Sequence, residues 1–174
     1  TFTTDGSVIY DGFEASYVYK PLICTDSLIL NSTTPITCPG GSDGGLDVTY
    51  TGTFTPVNYN WSSGQTSSSI SNITAGSYTV IATNAIGCSD TATYTLAPAV
   101  DATAPTIVAQ DITIQLDATG NATITPAQVD NGSNDNCTAA ANLTFALDIT
   151  SFTCADLGAN TVTLSATDAS GNTG

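Results

Sequence analysis

The chain reads as an all-β protein of tandem β-sandwiches, and three observations lead there. The charged helix formers are nearly absent from its 174 residues, amounting to Glu14 and Lys20 against an abundance of Thr, Ser, Gly, Asn and Ala. Apolar residues recur at every second position in short runs, as a strand with one buried face requires. Gly, Asn, Asp, Ser and Pro punctuate those runs at the spacing of sandwich turns. A chain of this length has room for two small modules and a remnant, and the expected division is 1–24, 25–98 and 99–174.

Taken in order, the first twenty residues hold two alternating runs around Asp11-Gly12, a dipeptide suited to a tight type I′ hairpin. Phe13, Ala15, Tyr17 and Tyr19 share one face of it, more apolar surface than an isolated hairpin leaves in water. Residues 21–37 read as a linker feeding the next module. In that module Leu46, Val48 and Tyr50 alternate, as do Tyr78, Val80 and Ala82, then Ala92, Tyr94 and Leu96. Tyr59 and Trp61 mark a middle strand, with Trp61 expected as a core plug, and Asn84-Ala-Ile-Gly87 is the turn before the last strand.

Asp101-Ala-Thr-Ala-Pro105 is expected to be a stiff joint, because Pro105 fixes its own φ, lacks a donor and drives Ala104 to an extended conformation. Beyond it a second set of runs begins with Ile107, Ile112, Ile114 and Leu116. It continues through Ala122 and Ile124, through Leu143, Phe145, Leu147 and Ile149, and through Val162, Leu164 and Ala166.

Charge narrows the function. Fifteen acidic residues against Lys20 give a net charge of −14, which argues against nucleic acid and anionic membrane surfaces as partners. No apolar run approaches the roughly 20 residues of a membrane span. With no histidine or arginine, one lysine and one glutamate, a catalytic set of nucleophile and base is missing, and the expectation is a non-enzyme. Five cysteines without a CxxC or Cys/His pattern favour disulfides in an oxidising compartment, with one thiol left over. Cys24 is the expected odd one, its partner lying in upstream sequence or another chain, with a nearby pairing to Cys38 as the alternative.

Three resemblances sharpen this. Asp5-Gly6-Ser7 with Gly12-Phe13, Ala15 and Tyr17 resembles the closing hairpin of a CUB-type domain, which implies that the chain begins inside one. CPGGSDGG from Cys38, YNWSSG from Tyr59 with its Tyr-Asn-Trp core, ISNITAGSYTV and NAIGC ending at Cys88 are similar to the SprB-type repeat of bacterial gliding-motility and surface adhesins. That resemblance implies a Cys38–Cys88 disulfide. DATAPTIVAQDITIQLDATGNATITPAQVDNGSNDNC, followed by FTCADLGANTVTLSATDASGNTG, is similar to hyalin-repeat-like domains of secreted bacterial proteins. It implies an immunoglobulin-like sandwich over 101–174 with a Cys137–Cys154 disulfide.

Two kinds of chemistry remain. Asp130, Asn134, Asp135 and Asn136 crowd one loop, and Asp168 and Asn172 lie near the other end of the same module. With Asp101 at the joint they form a set of hard oxygen donors suited to calcium, although Asp and Asn are equally the ordinary residues of β turns. Asp26-Ser27-Leu28 and Asp90-Thr91-Ala92 resemble an O-glycosylation acceptor used by bacteria carrying such repeats, making Ser27 and Thr91 candidates.

Together these lead to an expected stalk or adhesive segment of a large multimodular protein at the cell surface, resembling cargo of the type IX secretion route. Its expected partners are neighbouring modules, further copies of itself, and a surface polysaccharide or protein ligand. The alternatives are a fibre subunit assembling by strand addition and an accessory binding region of a secreted hydrolase.

Overall fold

A computed structural model describes residues 7–10, 13–16 and 23–174, and the fold is all-β. Strands β1 (Ser7–Tyr10) and β2 (Phe13–Ser16) form the expected antiparallel hairpin, with Tyr10 opposite Phe13. Its Asp11-Gly12 turn, and the face expected of Phe13, Ala15, Tyr17 and Tyr19, lie outside the described residues and side chains.

Six strands follow: β3 (Leu28–Thr34), β4 (Gly44–Tyr50), β5 (Val57–Trp61), β6 (Ser69–Ile73), β7 (Gly76–Asn84) and β8 (Ser89–Leu96). They make two three-stranded sheets in the orders β3-β4-β6 and β5-β7-β8, a β-sandwich. The alternation read from sequence matches what is buried. Leu46, Val48 and Tyr50 are all buried on β4, and on β8 exposure alternates residue by residue to the buried Leu96. Trp61 is 2% exposed, donates its indole N–H to the Ser67 carbonyl at 2.9 Å and tilts against Tyr94, with ring centroids 6.5 Å apart. A buried indole needs such an acceptor, and the Gly64 turn brings the chain back to provide it.

The 21–37 segment differs from the expected linker, since residues 28–34 form the edge strand β3. Side-chain oxygens hold its start: Ser27 N–H donates to Thr51 Oγ1 at 2.9 Å and Leu28 N–H to Asp90 Oδ2 at 2.8 Å.

The remainder holds β9 (Asn121–Thr123), α1 (Pro126–Val129), β10 (Thr144–Leu147), β11 (Ser151–Thr153) and β12 (Leu164–Thr167). β9 pairs with β11 and β10 with β12, both antiparallel. The single-turn helix starts on Pro126, a residue preorganised for that position, and Thr125 N–H is capped by Gln128 Oε1 at 2.8 Å. Ile124, Val129, Phe152 and Leu164 form the core here. The expected first run corrects in part: Ile107, Ile112, Ile114 and Leu116 do pack against this core, but their stretch forms no strand and pairs through isolated bridges at Thr106 and Ala109 and scattered backbone bonds. Alternation reports which side chains turn inward, and it does not report whether a neighbouring strand is there to pair.

By compactness the chain divides into two units, residues 1–31, 48–68 and 78–94 in one, and 32–47, 69–77 and 95–174 in the other. In the first, Val48, Tyr50, Trp61, Val80, Ala82 and Cys88 are buried. In the second, Ile36, Leu46, Ile70, Ile73 and Leu96 are buried, along with the core of the C-terminal strands. Gly44 permits a close approach in this unit, because a Cβ there would collide with Leu96 and the Ile73 carbonyl.

The cysteines pair differently from the resemblances. Cys24 bonds to Cys88 and Cys38 to Cys137, with Cα atoms 5.5 and 5.3 Å apart, while Cys154 is a free, exposed thiol. The expected Cys38–Cys88 and Cys137–Cys154 disulfides, and an external partner for Cys24, are therefore corrected. The reason for the first pair lies in side-chain bonds between segments distant in sequence. Asp26 accepts from Asn84 Nδ2 at 3.0 Å and Asp90 from Leu28 N–H, so side-chain bonds draw the segment after Cys24 onto the turn that carries Cys88. Cys154 instead opens a short 3-10 turn (Cys154–Asp156) held by Thr153 and Asp156, with its sulfur 3.7 Å from the Gly120 carbonyl.

Candidate metal centre

The oxygen donors expected at the joint divide into a group that converges and a group that does not. Asp101, Asp135 and Asp168 converge, each offering a carboxylate oxygen within 4.8 Å of the other two. Each reaches that point from a loop that its own carboxylate shapes.

Asp101 is 8% exposed. Its Oδ1 accepts from Thr103 N–H at 3.1 Å, turning the chain into the joint, and from Asn136 Nδ2 at 3.5 Å. Asp135 Oδ2 accepts from the N–H groups of Cys137 and Thr138 at 2.9 and 2.8 Å, and the Cys38–Cys137 disulfide anchors the same loop covalently. Asp168, 6% exposed, accepts at Oδ1 from the N–H groups of Ser170 and Asn172, both at 2.8 Å, and at Oδ2 from Asn172 Nδ2 at 2.7 Å. Burial works against its charge, but the bonds from Asn172, Ser170 and Gly171 outweigh that and hold its carboxyl below the ordinary range.

Asp101 and Asp135 therefore spend one oxygen each on backbone N–H groups. The other oxygens, Asp101 Oδ2 and Asp135 Oδ1, are buried and have no hydrogen-bond partner among the described residues. A buried carboxylate oxygen without a donor is unfavourable, and three like charges this close repel one another. Among the described residues no Lys, Arg or His is there to compensate, since the chain's one Lys or Arg, Lys20, lies outside them and the sequence has no His.

Around this point Asn172 Nδ2 also donates to the Asp101 carbonyl at 3.2 Å, and Asn136 is joined to Asp101 as above. Two of the three expected asparagines, Asn136 and Asn172, thus lie beside the centre. Asp130 and Asn134 do not join it. Asp130 Oδ1 caps Ser133 N–H at 3.0 Å, and the bond from Ser133 holds its carboxyl below the ordinary range. The Asn134 backbone bridges to Thr106, and its amide turns to the Gly132 carbonyl. Those two residues do the turn chemistry that sequence left as the alternative. The orphaned oxygens had no sequence signal, since which of two oxygens a loop uses depends on folded geometry.

At the glycosylation candidates, Ser27 and Thr91 are both exposed. The acidic members of the two motifs serve the fold, Asp26 accepting from Asn84 and Asp90 from Leu28 N–H and Thr91 N–H. Ser27 Oγ itself lies 3.3 Å from Thr51 Oγ1.

No family model and no curated protein matches the chain.

Proposed function

We propose that this chain is a non-catalytic, load-bearing segment of a secreted multimodular surface protein, a stalk that sets reach and presents weakly adhesive surface. The observation supporting it is the overlap of the two disulfide loops, Cys24–Cys88 and Cys38–Cys137. A force applied at the two ends passes from Cys24 to Cys38 (38 − 24 = 14 residues) and crosses directly to Cys137. The intervening loop, 99 residues in sequence separation, never bears the load. Unfolding outside the cell, where no reductant restores thiols, then cannot lengthen the segment to its full contour. The modest contacts of each exposed surface gain from repetition along such a stalk.

Single-molecule pulling between handles at residues 1 and 174 tests the reading. The oxidised chain should extend less than the reduced chain by roughly 350 Å, taking about 3.5 Å for each shielded residue. Equal extension in both states would remove the mechanical basis of the proposal.

A further inference from the structure

We propose that Asp101, Asp135 and Asp168 bind one calcium ion, which ties the joint to the disulfide-anchored loop and to the Asp168 turn. The proposal is independent of the load-bearing reading and rests on the centre alone. Two observations carry it separately. One is the convergence of three carboxylates within 4.8 Å. The other is the pair of buried oxygens without partners among the described residues, one of them on Asp101, a residue 8% exposed.

The donor set selects the class of ion. All three side chains offer hard carboxylate oxygen, the chain has no histidine, and the nearest cysteine, Cys137, is spent in a disulfide, so zinc and copper lack their preferred ligands. Among hard cations, calcium takes six to eight oxygens at about 2.4 Å in flexible geometry, so two ligands on opposite sides of it stand about 4.8 Å apart. Magnesium, with ligands at about 2.05 Å, demands a tighter octahedron. The Asn172 and Asn136 amides, already beside Asp101, are placed to turn their oxygens inward as further ligands. Water completes the shell.

The test uses the whole chain after treatment with a chelator. Calorimetric titration with calcium chloride should show one site, with a dissociation constant in the range of roughly 10⁻⁴ to 10⁻³ M typical of extracellular modules. The melting temperature should rise with calcium and respond less to magnesium. Asp135→Asn is the informative variant: its amide oxygen retains the bonds from Cys137 and Thr138, while an NH2 replaces the ligand oxygen. It should fold, by circular dichroism, and lose calcium affinity about tenfold or more; Asp101→Asn should do the same. Asp130→Asn, outside the centre, should bind as the parent does. Absence of any calcium effect on the folded parent chain would overturn the proposal, and so would undiminished binding by Asp135→Asn. An equal response to magnesium would overturn the assignment to calcium.

Discussion

Aspartate supplies nearly all of this chain's charge, and residue by residue it acts as a turn-former. Asp117 is the clearest case: its Oδ1 accepts from Thr119 N–H at 2.8 Å, Thr119 Oγ1 at 2.7 Å and Asn121 N–H at 3.0 Å, shaping the turn into β9. Those bonds, the Thr119 hydroxyl first, pull its carboxyl below the ordinary 3.8. A carboxyl depressed by folding stabilises the native state above its unfolded pKa, and that contribution disappears as pH falls through the lower folded value. Asp117 is exposed and solvent screens its charge, so Asp117→Asn should melt only slightly below the parent chain at pH 6. In melts taken from pH 6 downward the difference should narrow below about pH 3.8 and close in stronger acid. Asn84 shows the same economy without charge. At 3% exposure it accepts from Ile86 N–H at 3.1 Å and Cys88 N–H at 3.0 Å through Oδ1 and donates to Asp26, so one amide shapes the turn and seats the disulfide. Sequence marked Asn84 as a turn residue, but its role in bringing Cys24 to Cys88 depends on Asp26, 58 positions away.

At the scale of elements, what holds the short strands together is largely outside their ladders. Hydroxyls pair across β7 and β8, with Thr79 and Thr93 oxygens 2.9 Å apart and Ser77 and Thr95 oxygens 3.2 Å apart. The C-terminal ladders of three or four residues depend on a core of four buried apolar side chains and on the Cys38–Cys137 bond. Cross-linking positions 99 apart restricts the unfolded chain by roughly 4 to 5 kcal/mol in the loop-entropy model. The paired change Cys38→Ser with Cys137→Ser should lower the urea midpoint accordingly. Cys154→Ser, which removes a free thiol, should stay within about 0.5 kcal/mol of the parent chain. Urea titrations of the two variants in parallel separate a structural pair from a spare cysteine. The residues of β4, β7 and β8 were legible because one buried face imposes a period of two. The 107–116 stretch was legible as core but not as irregular backbone, because inward alternation survives without a ladder.

For the molecule as a whole, the stalk and the fibre differ in what the exposed edge does. Among the described residues β3 lies at the edge of its sheet, with Ile29 50% and Leu30 37% exposed, the kind of strand that a second copy extends. Under the stalk reading, light scattering of residues 1–174 should give a constant monomer mass as concentration rises; mass that grows with concentration would favour strand addition. By itself the sequence determined the all-β class, the buried faces of the main strands, the turn at Asn84 to Gly87 and the crowding of oxygen donors after the joint. Each of these follows from local periodicity or from the conformational preferences of a few adjacent residues. Only the tertiary structure decided which cysteine meets which, and that Asp101, Asp135 and Asp168, among the described aspartates, share a point. Pairings across 64 and 99 residues depend on how separate loops are brought together, and no local pattern encodes that distance.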